Sequence, residues 1–210
     1  MNKTFASATR LAIVALAAVT FSHFALAQST SGAQSTSTST STSTSTSTST
    51  STTQNEFLAQ QGLAGKTPEQ MVEVIDQSKQ ARPLPYSASI TGTELKLSDG
   101  QQQFSFPLGD KFYLSFAPFV NQTHPCFNHS LSGCRGEMAE TAFDVKITDN
   151  AGKVILQDKL TSYQNGFIGV WLPRNTEGTI EVSYQGLKAV SPFATHAESQ
   201  TCMTTLQLKK

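Results

Sequence analysis

The sequence lacks an excess of charge of either sign. Its 15 lysine and arginine residues balance its 15 aspartate and glutamate residues over a length of 210 residues. The balance becomes slightly negative without residues 1–27, which contain Lys3 and Arg10 and no acidic residue. Proteins that bind nucleic acid or anionic membranes usually present a basic surface. We therefore expect neither nucleic acid nor a membrane among the partners of this protein.

Long hydrophobic runs are missing as well. The run from Leu11 to Phe21 has about half the length that a membrane-spanning helix needs. It follows a basic start and precedes the small-residue sequence Ala25-Leu26-Ala27, which is the pattern of a secretory signal peptide. We predict a signal peptide over residues 1–27, cleaved after Ala27, and a soluble mature protein exported to the periplasm.

Large side chains are almost absent from residues 28–53. Ser and Thr alternate from Ser35 to Thr53 with hardly a break. Such a composition buries too little apolar surface to offset the entropy of ordering the chain. The sequence therefore predicts a disordered segment that carries no chemistry.

Helical periodicity is confined to residues 54–85. Phe57 and Leu58 are expected to open a short turn-like segment that ends at Gly62. The better helix begins with Thr67-Pro68-Glu69-Gln70, which supplies an N-cap, a proline in the first turn and a capping-box glutamine. One face of this helix is predicted to carry Met71, Val74, Ile75 and Ser78. That stripe must pack either on the chain's own β domain or on a second protomer, and the sequence leaves both options open.

From Tyr86 to the C-terminus the hydrophobic pattern alternates with a period of two. Turn signals such as Ser98-Asp99-Gly100 and Asn165-Gly166 separate about eight short apolar segments. Residues 86–210 are therefore predicted to form a mainly β domain, an antiparallel β-sandwich or a partly closed barrel. The helical residues 54–85 would be a small N-terminal appendage to it.

Cysteine is scarce, and two of the three cysteines lie in one predicted loop. Soft thiolate and imidazole ligands suit copper(I), zinc or iron–sulfur iron, and the sequence has no comparable cluster of carboxylates. Ligand type alone does not decide between copper and zinc. Met203 follows Cys202 directly and should point to the opposite face of a strand, into the core. The candidate metal ligands are Cys126, Cys134, Cys202, His124 and His129, with His196 as a further candidate.

A structural disulfide is the alternative interpretation of these cysteines. Free thiols do not persist unaided in an oxidising compartment, so Cys126 and Cys134 could form a bond that staples a secreted β domain without metal. The odd cysteine number argues against a purely structural role. A thiol–disulfide oxidoreductase is disfavoured, because seven residues separate Cys126 from Cys134 where such enzymes have two.

The loop sequence His124-Pro125-Cys126-Phe127 through His129-Ser130-Leu131-Ser132-Gly133-Cys134, with Cys202 downstream, closely resembles the CueP family of periplasmic copper-binding proteins. The resemblance runs from about Gln54 to the C-terminus. It implies copper binding by the three cysteines, copper tolerance and homeostasis through storage or delivery, donation of copper to a periplasmic copper,zinc superoxide dismutase, and a homodimer.

The ligand chemistry adds a redox hypothesis. Two thiolates can reduce copper(II) as they form a disulfide, while the remaining soft ligands hold copper(I). We predict that Cys126 and Cys134 form this disulfide, and that His124 or His129 receives copper(II) first. Turnover would require an external thiol reductant. The protein is therefore interpreted as a metal-binding protein first, with its status as a copper(II)-reducing enzyme left open.

Overall fold

The computed structural model describes residues 46–210, with side chains from Thr53 onward. The predicted signal peptide and the first part of the predicted disordered segment lie outside the described residues. Within the described part the protein is mainly β, as the sequence predicted, with two helices and eleven strands. Neither helix has the length and hydropathy that crossing a membrane would require.

The helices are α1 (Thr46–Gln60) and α2 (Pro68–Asp76), and the strands are β1 (Ser87–Ile90), β2 (Glu94–Ser98), β3 (Gln103–Pro107), β4 (Lys111–Phe116), β5 (His129–Ser130), β6 (Ala142–Asp149), β7 (Val154–Thr161), β8 (Ile168–Pro173), β9 (Glu177–Tyr184), β10 (Leu187–Ala194) and β11 (Cys202–Met203). They form three sheets with strand orders β3-β2-β1-β5, β10-β9-β6-β7 and β11-β4-β8. All described strand pairs are antiparallel except β11 with β4, which is parallel.

Helix α1 begins within the segment that was predicted to be disordered. It includes residues 46–53 of that segment and continues to Gln60. Near its C-terminal end, the side chains of Phe57 and Leu58 are 5% and 6% exposed. Buried contacts at one end stabilise a helix that then extends at low cost, even through residues of poor helix propensity. The segment stops at Gly62, with φ of 67°, as predicted, but it is the end of a helix that begins at Thr46, not a short turn-like segment opened by Phe57. Leu63 N donates to Leu58 O and Gly62 N to Ala59 O, the pattern of a Schellman motif.

Helix α2 has the predicted capping box. Thr67 Oγ1 accepts a hydrogen bond from Gln70 N at 3.3 Å, and Gln70 Oε1 accepts one from Thr67 N at 3.0 Å. The predicted buried face is partly wrong, because Val74 is 44% exposed whereas Val72 is fully buried. The two valines lie on opposite sides of the helix. The buried residues of α2 are Met71, Val72, Ile75 and Asp76.

Strand β4 separates two apolar cores. Phe112, Leu114 and Phe116 face a core formed with the strands β6, β8, β9 and β10. Tyr113 faces the other core, where the buried residues of α1 and α2 pack against those of β1, β2 and β3. Of the two options for the helical stripe, packing on the chain's own β domain is therefore the one observed. The end of α2 lies beside β4, and this arrangement positions the site described next.

Candidate metal site

The C-terminal strand closes over the cysteine loop. Strand β11 pairs with β4 so that Cys202 lies opposite Ser115. The backbone N–H groups of Thr201 and Cys202 both donate to the carbonyl oxygen of Phe127, at 2.9 and 3.0 Å. Thr201 Oγ1 also accepts a hydrogen bond from His129 N at 3.0 Å. These bonds bring the predicted tail strand and the predicted loop together.

The disulfide of this structure joins Cys126 to Cys202, with their Cα atoms 5.5 Å apart. The prediction that Cys126 pairs with Cys134 is therefore wrong for this state. Closeness in sequence suggested that pair, but the register of β11 on β4 decides which sulfur meets Cys126. Cys134 remains a free thiol, and its Sγ lies 3.7 Å from Cys126 Sγ.

The position of Cys134 is fixed by the turn that follows β5. Its backbone N–H donates to Ser130 O at 3.0 Å. Burial raises the pKa of the Cys134 thiol, but hydrogen bonding to His129, the charge of His129 and hydrogen bonding to His124 outweigh it and lower the pKa to about 7. A large fraction of Cys134 is therefore thiolate at neutral pH, the form that binds metal and attacks disulfides.

His129 is fully buried between a carboxylate and the sulfur atoms. Its Nε2 lies 3.0 Å from Asp76 Oδ1, and its Nδ1 lies 3.7 Å from Cys202 Sγ. Burial lowers the pKa of His129, but the Asp76 carboxylate and Cys134 outweigh it and raise the pKa to about 9. Without metal, His129 is an imidazolium at neutral pH, so coordination of a metal by Nδ1 would release a proton.

Asp76 anchors this histidine, a role that was not predicted from the sequence. The carboxylate is fully buried at the end of α2 and also accepts hydrogen bonds from Tyr113 Oη and Asn165 Nδ2, each at 2.7 Å. Burial raises the pKa of Asp76, but the charge of His129 and these hydrogen bonds reverse the direction and lower it. The sequence did contain a sign of this role, because Asp76 is an acidic residue that directly follows Ile75 at the edge of the apolar stripe of α2.

Two overlapping groups of possible ligand atoms result. One contains His124, Cys126 and Cys134, and the other contains His129, Cys134 and Cys202, with the ligand atoms of each group within 4.8 Å of one another. The structure thus brings together the five principal candidates. His196 belongs to neither group, and its Nε2 lies 2.9 Å from Glu177 Oε1. Met203 is fully buried, as predicted, in the core that Phe112, Leu114 and Phe116 face.

The floor of the site is apolar. Ala117 and Phe167 are buried with Cys202, and Cys126 and Cys134 pack against them. The ring of Phe167 lies 4.6 Å from that of His129 between centroids. Sulfur and imidazole donors above an apolar floor are a soft ligand set that suits copper(I). Cys126 and Cys202 can act as thiolate ligands only after their disulfide is reduced.

Known proteins match the same region of the chain. The family model described as periplasmic copper-binding protein CueP matches residues 70–207. The crystal structure of S.CueP is 66% identical in sequence and superposes with a TM-score of 0.73, covering 74% of this chain and 97% of that chain. The comparison with curated proteins gives no match. The matched residues include Asp76, both histidines of the loop and all three cysteines, and the chain belongs to the CueP family of periplasmic copper-binding proteins.

Proposed function

We propose that the reduced protein binds copper(I) through Cys126, Cys134 and Cys202, with His129 and His124 as additional nitrogen donors. The observation that carries the proposal is the position of Cys134 in both groups of ligand atoms. A thiol with a pKa near 7 supplies thiolate without an added base. Thiolate sulfur prefers copper(I), whereas imidazole alone would accept several metals, including zinc.

The disulfide supports a proposal for copper(II) reduction. In this step the Cys126 and Cys202 thiolates each give one electron to a copper(II) ion, and their sulfurs form the bond that this structure contains. Two copper(II) ions thereby become two copper(I) ions. Cys134 stays a thiolate and retains one copper(I) ion, and the other copper(I) ion is released. The assignment replaces the pair expected from the sequence, and each further cycle requires an external dithiol reductant.

The positions of the ligands support storage and delivery as part of the proposal. Cys126, Cys134 and His124 are partly exposed, whereas Cys202 and His129 are buried. A recipient's ligands can therefore reach copper(I) from the side of Cys126 and Cys134 and exchange with them in turn. A periplasmic copper,zinc superoxide dismutase is the proposed recipient, and the homodimer remains a prediction from the family resemblance.

Anaerobic titration of the reduced protein with copper(I), against a competing chelator, tests the binding proposal. We expect Cys126→Ser, Cys134→Ser and Cys202→Ser each to weaken binding by at least about 100-fold, the upper range for loss of a supporting residue at a metal site. His196→Ala is the matched control and should bind normally, since His196 contacts Glu177. Normal affinity in Cys202→Ser would contradict the three-thiol site. Absence of copper(I) binding altogether would favour the alternative, a β domain stapled by a disulfide.

A further inference from the structure

Arg82, which follows α2, is buried with part of its guanidinium unpaired. The side chain is 8% exposed. Its Nη2 donates to the carbonyl oxygens of Ile75 and Asp76, at 3.1 and 3.0 Å. Its Nε and Nη1 have no hydrogen-bond partner among the described residues. Buried charged donors are nearly always paired in folded proteins, because leaving them without an acceptor is costly.

Asp76 does not serve as the missing partner. Its carboxylate accepts hydrogen bonds from His129, Tyr113 and Asn165, whereas Arg82 contacts only its backbone carbonyl. No ion pair in the part of the chain that the structure describes includes Arg82. Arg82 therefore has no hydrogen-bonded counter-charge, and the negative charges of Asp76 and Cys134 act on it only through space.

A second arginine lies at the same place. Arg135 is exposed, and its Nη2 donates to the carbonyl oxygen of Arg82. Both arginines line a surface cleft of about 280 Å³, together with Gln80, Ala81, Gly136, Gln164 and Asn165. None of these residues belongs to the two groups of possible copper ligands. The cleft therefore has two guanidinium groups in its lining and is open to solvent. One of the two arginines, Arg135, directly follows Cys134 in the chain.

We propose that this cleft binds a small oxyanion, which pairs with the guanidinium of Arg135 at the opening and, after a small shift of the Arg82 side chain, accepts hydrogen bonds from Arg82 Nε and Nη1, two atoms that are closed off from solvent in this structure. Guanidinium groups are the side chains best suited to carboxylate and phosphate oxygens. The cleft volume is near the lower end of the range for small-molecule sites, so it suits a small ligand. Carboxylates and phosphates share this chemistry, and the test separates them.

The test follows the Nε–H signals of the arginines by ¹⁵N NMR in the oxidised mature protein. Sodium acetate and sodium phosphate are added separately at an ionic strength held constant with sodium chloride. We expect a saturable shift of the Arg82 signal with at least one of the two anions, and the anion that causes it identifies the ligand class. Arg135→Gln should weaken the binding at least tenfold while leaving the fold intact, because Arg135 is exposed.

Arg174 provides the matched control. Its Nε donates to Gly109 O at 2.9 Å and its Nη1 to Gly92 O at 2.6 Å, so it has partners at another place in the fold. Arg174→Gln should leave the response of Arg82 unchanged. A response that rises linearly with salt, an equal response to chloride alone, or full binding by Arg135→Gln would overturn the proposal, as would no response to either anion.

Discussion

The two sides of the candidate metal site differ in how they are built. On the buried side, His129, Cys202 and Asp76 are fully buried and lie on regular elements, at β5, β11 and the end of α2. On the open side, His124, Cys126 and Cys134 are partly exposed and lie in the segments before and after β5. The buried side holds paired charges inside the protein, and the open side presents sulfur and imidazole to solvent. We infer that substitutions on the buried side will reduce stability most, whereas those on the open side will mainly change reactivity.

The largest effect is expected from Asp76→Asn. This substitution keeps the size of the side chain but removes the charge that balances the buried imidazolium of His129. Breaking a buried ion pair on one side leaves the other charge uncompensated, which typically costs about 3–5 kcal/mol. Urea unfolding of the oxidised protein at pH 7 should show a loss of this size in the free energy of unfolding.

Asp144→Asn is the matched control for this comparison. Asp144 pairs with Lys159 at 2.7 Å, but both side chains are more than half exposed. Exposed ion pairs contribute at most about 1 kcal/mol, because water screens them. Equal effects of the two substitutions would contradict the division into a buried and an open side.

Much of the fold follows from local sequence patterns. The capping box of α2, the stop at Gly62 after α1 and the alternation along the strands were all readable, because each depends on neighbours in the chain. Errors arose where packing decides the outcome. Val74 has the same hydropathy as Val72, and only the way α2 lies on the sheet buries one and exposes the other.

The site was predictable to a similar extent. The loop cysteines and histidines are close in sequence, and the placement of Cys202 and Met203 on opposite faces follows from strand geometry. The disulfide partner of Cys126 depends on the pairing of β11 with β4, which no local pattern encodes. Asp76 is equally a product of tertiary structure, since it meets His129 only because α2 packs beside β4.

The next prediction concerns pH, because the contributions of His129 and Cys134 to stability depend on pH in opposite directions. The pKa of His129 is raised from 6.5 to about 9, so its contribution is complete below pH 6.5 and is lost as the pH rises through 9. The pKa of Cys134 is lowered from 9.0 to about 7, so its contribution is complete above pH 9 and is lost as the pH falls through 7. Between pH 7 and pH 9 the free energy of unfolding falls with rising pH because of His129 and rises because of Cys134. These two changes largely cancel.

Cys134→Ser removes one of these opposing contributions. We expect the free energy of unfolding of the wild-type protein to change little between pH 7 and pH 9, whereas that of Cys134→Ser falls by at most about 3 kcal/mol. The fall should be smaller than this limit, because Cys134 is itself one of the groups that raise the pKa of His129. Urea titrations across this pH range measure both curves, and parallel curves would contradict the coupling across the site.

The smallest effect on stability is expected from His124→Ala, a substitution on the open side. His124 is partly exposed, so its removal should change the free energy of unfolding by no more than about 0.5 kcal/mol. Its role in the proposed reduction is to hold copper(II), which favours imidazole, before electrons arrive from the thiolates. Stopped-flow reduction of copper(II) by the reduced variant should therefore be slower than in the wild-type protein, while copper(I) affinity stays within about tenfold because three thiolates remain.

Mapping of the disulfide after one turnover should find Cys126 joined to Cys202 in both proteins. An unchanged reduction rate would remove His124 from the copper(II) pathway, and a dominant Cys126 to Cys134 disulfide would reverse the assignment of the electron-donating pair.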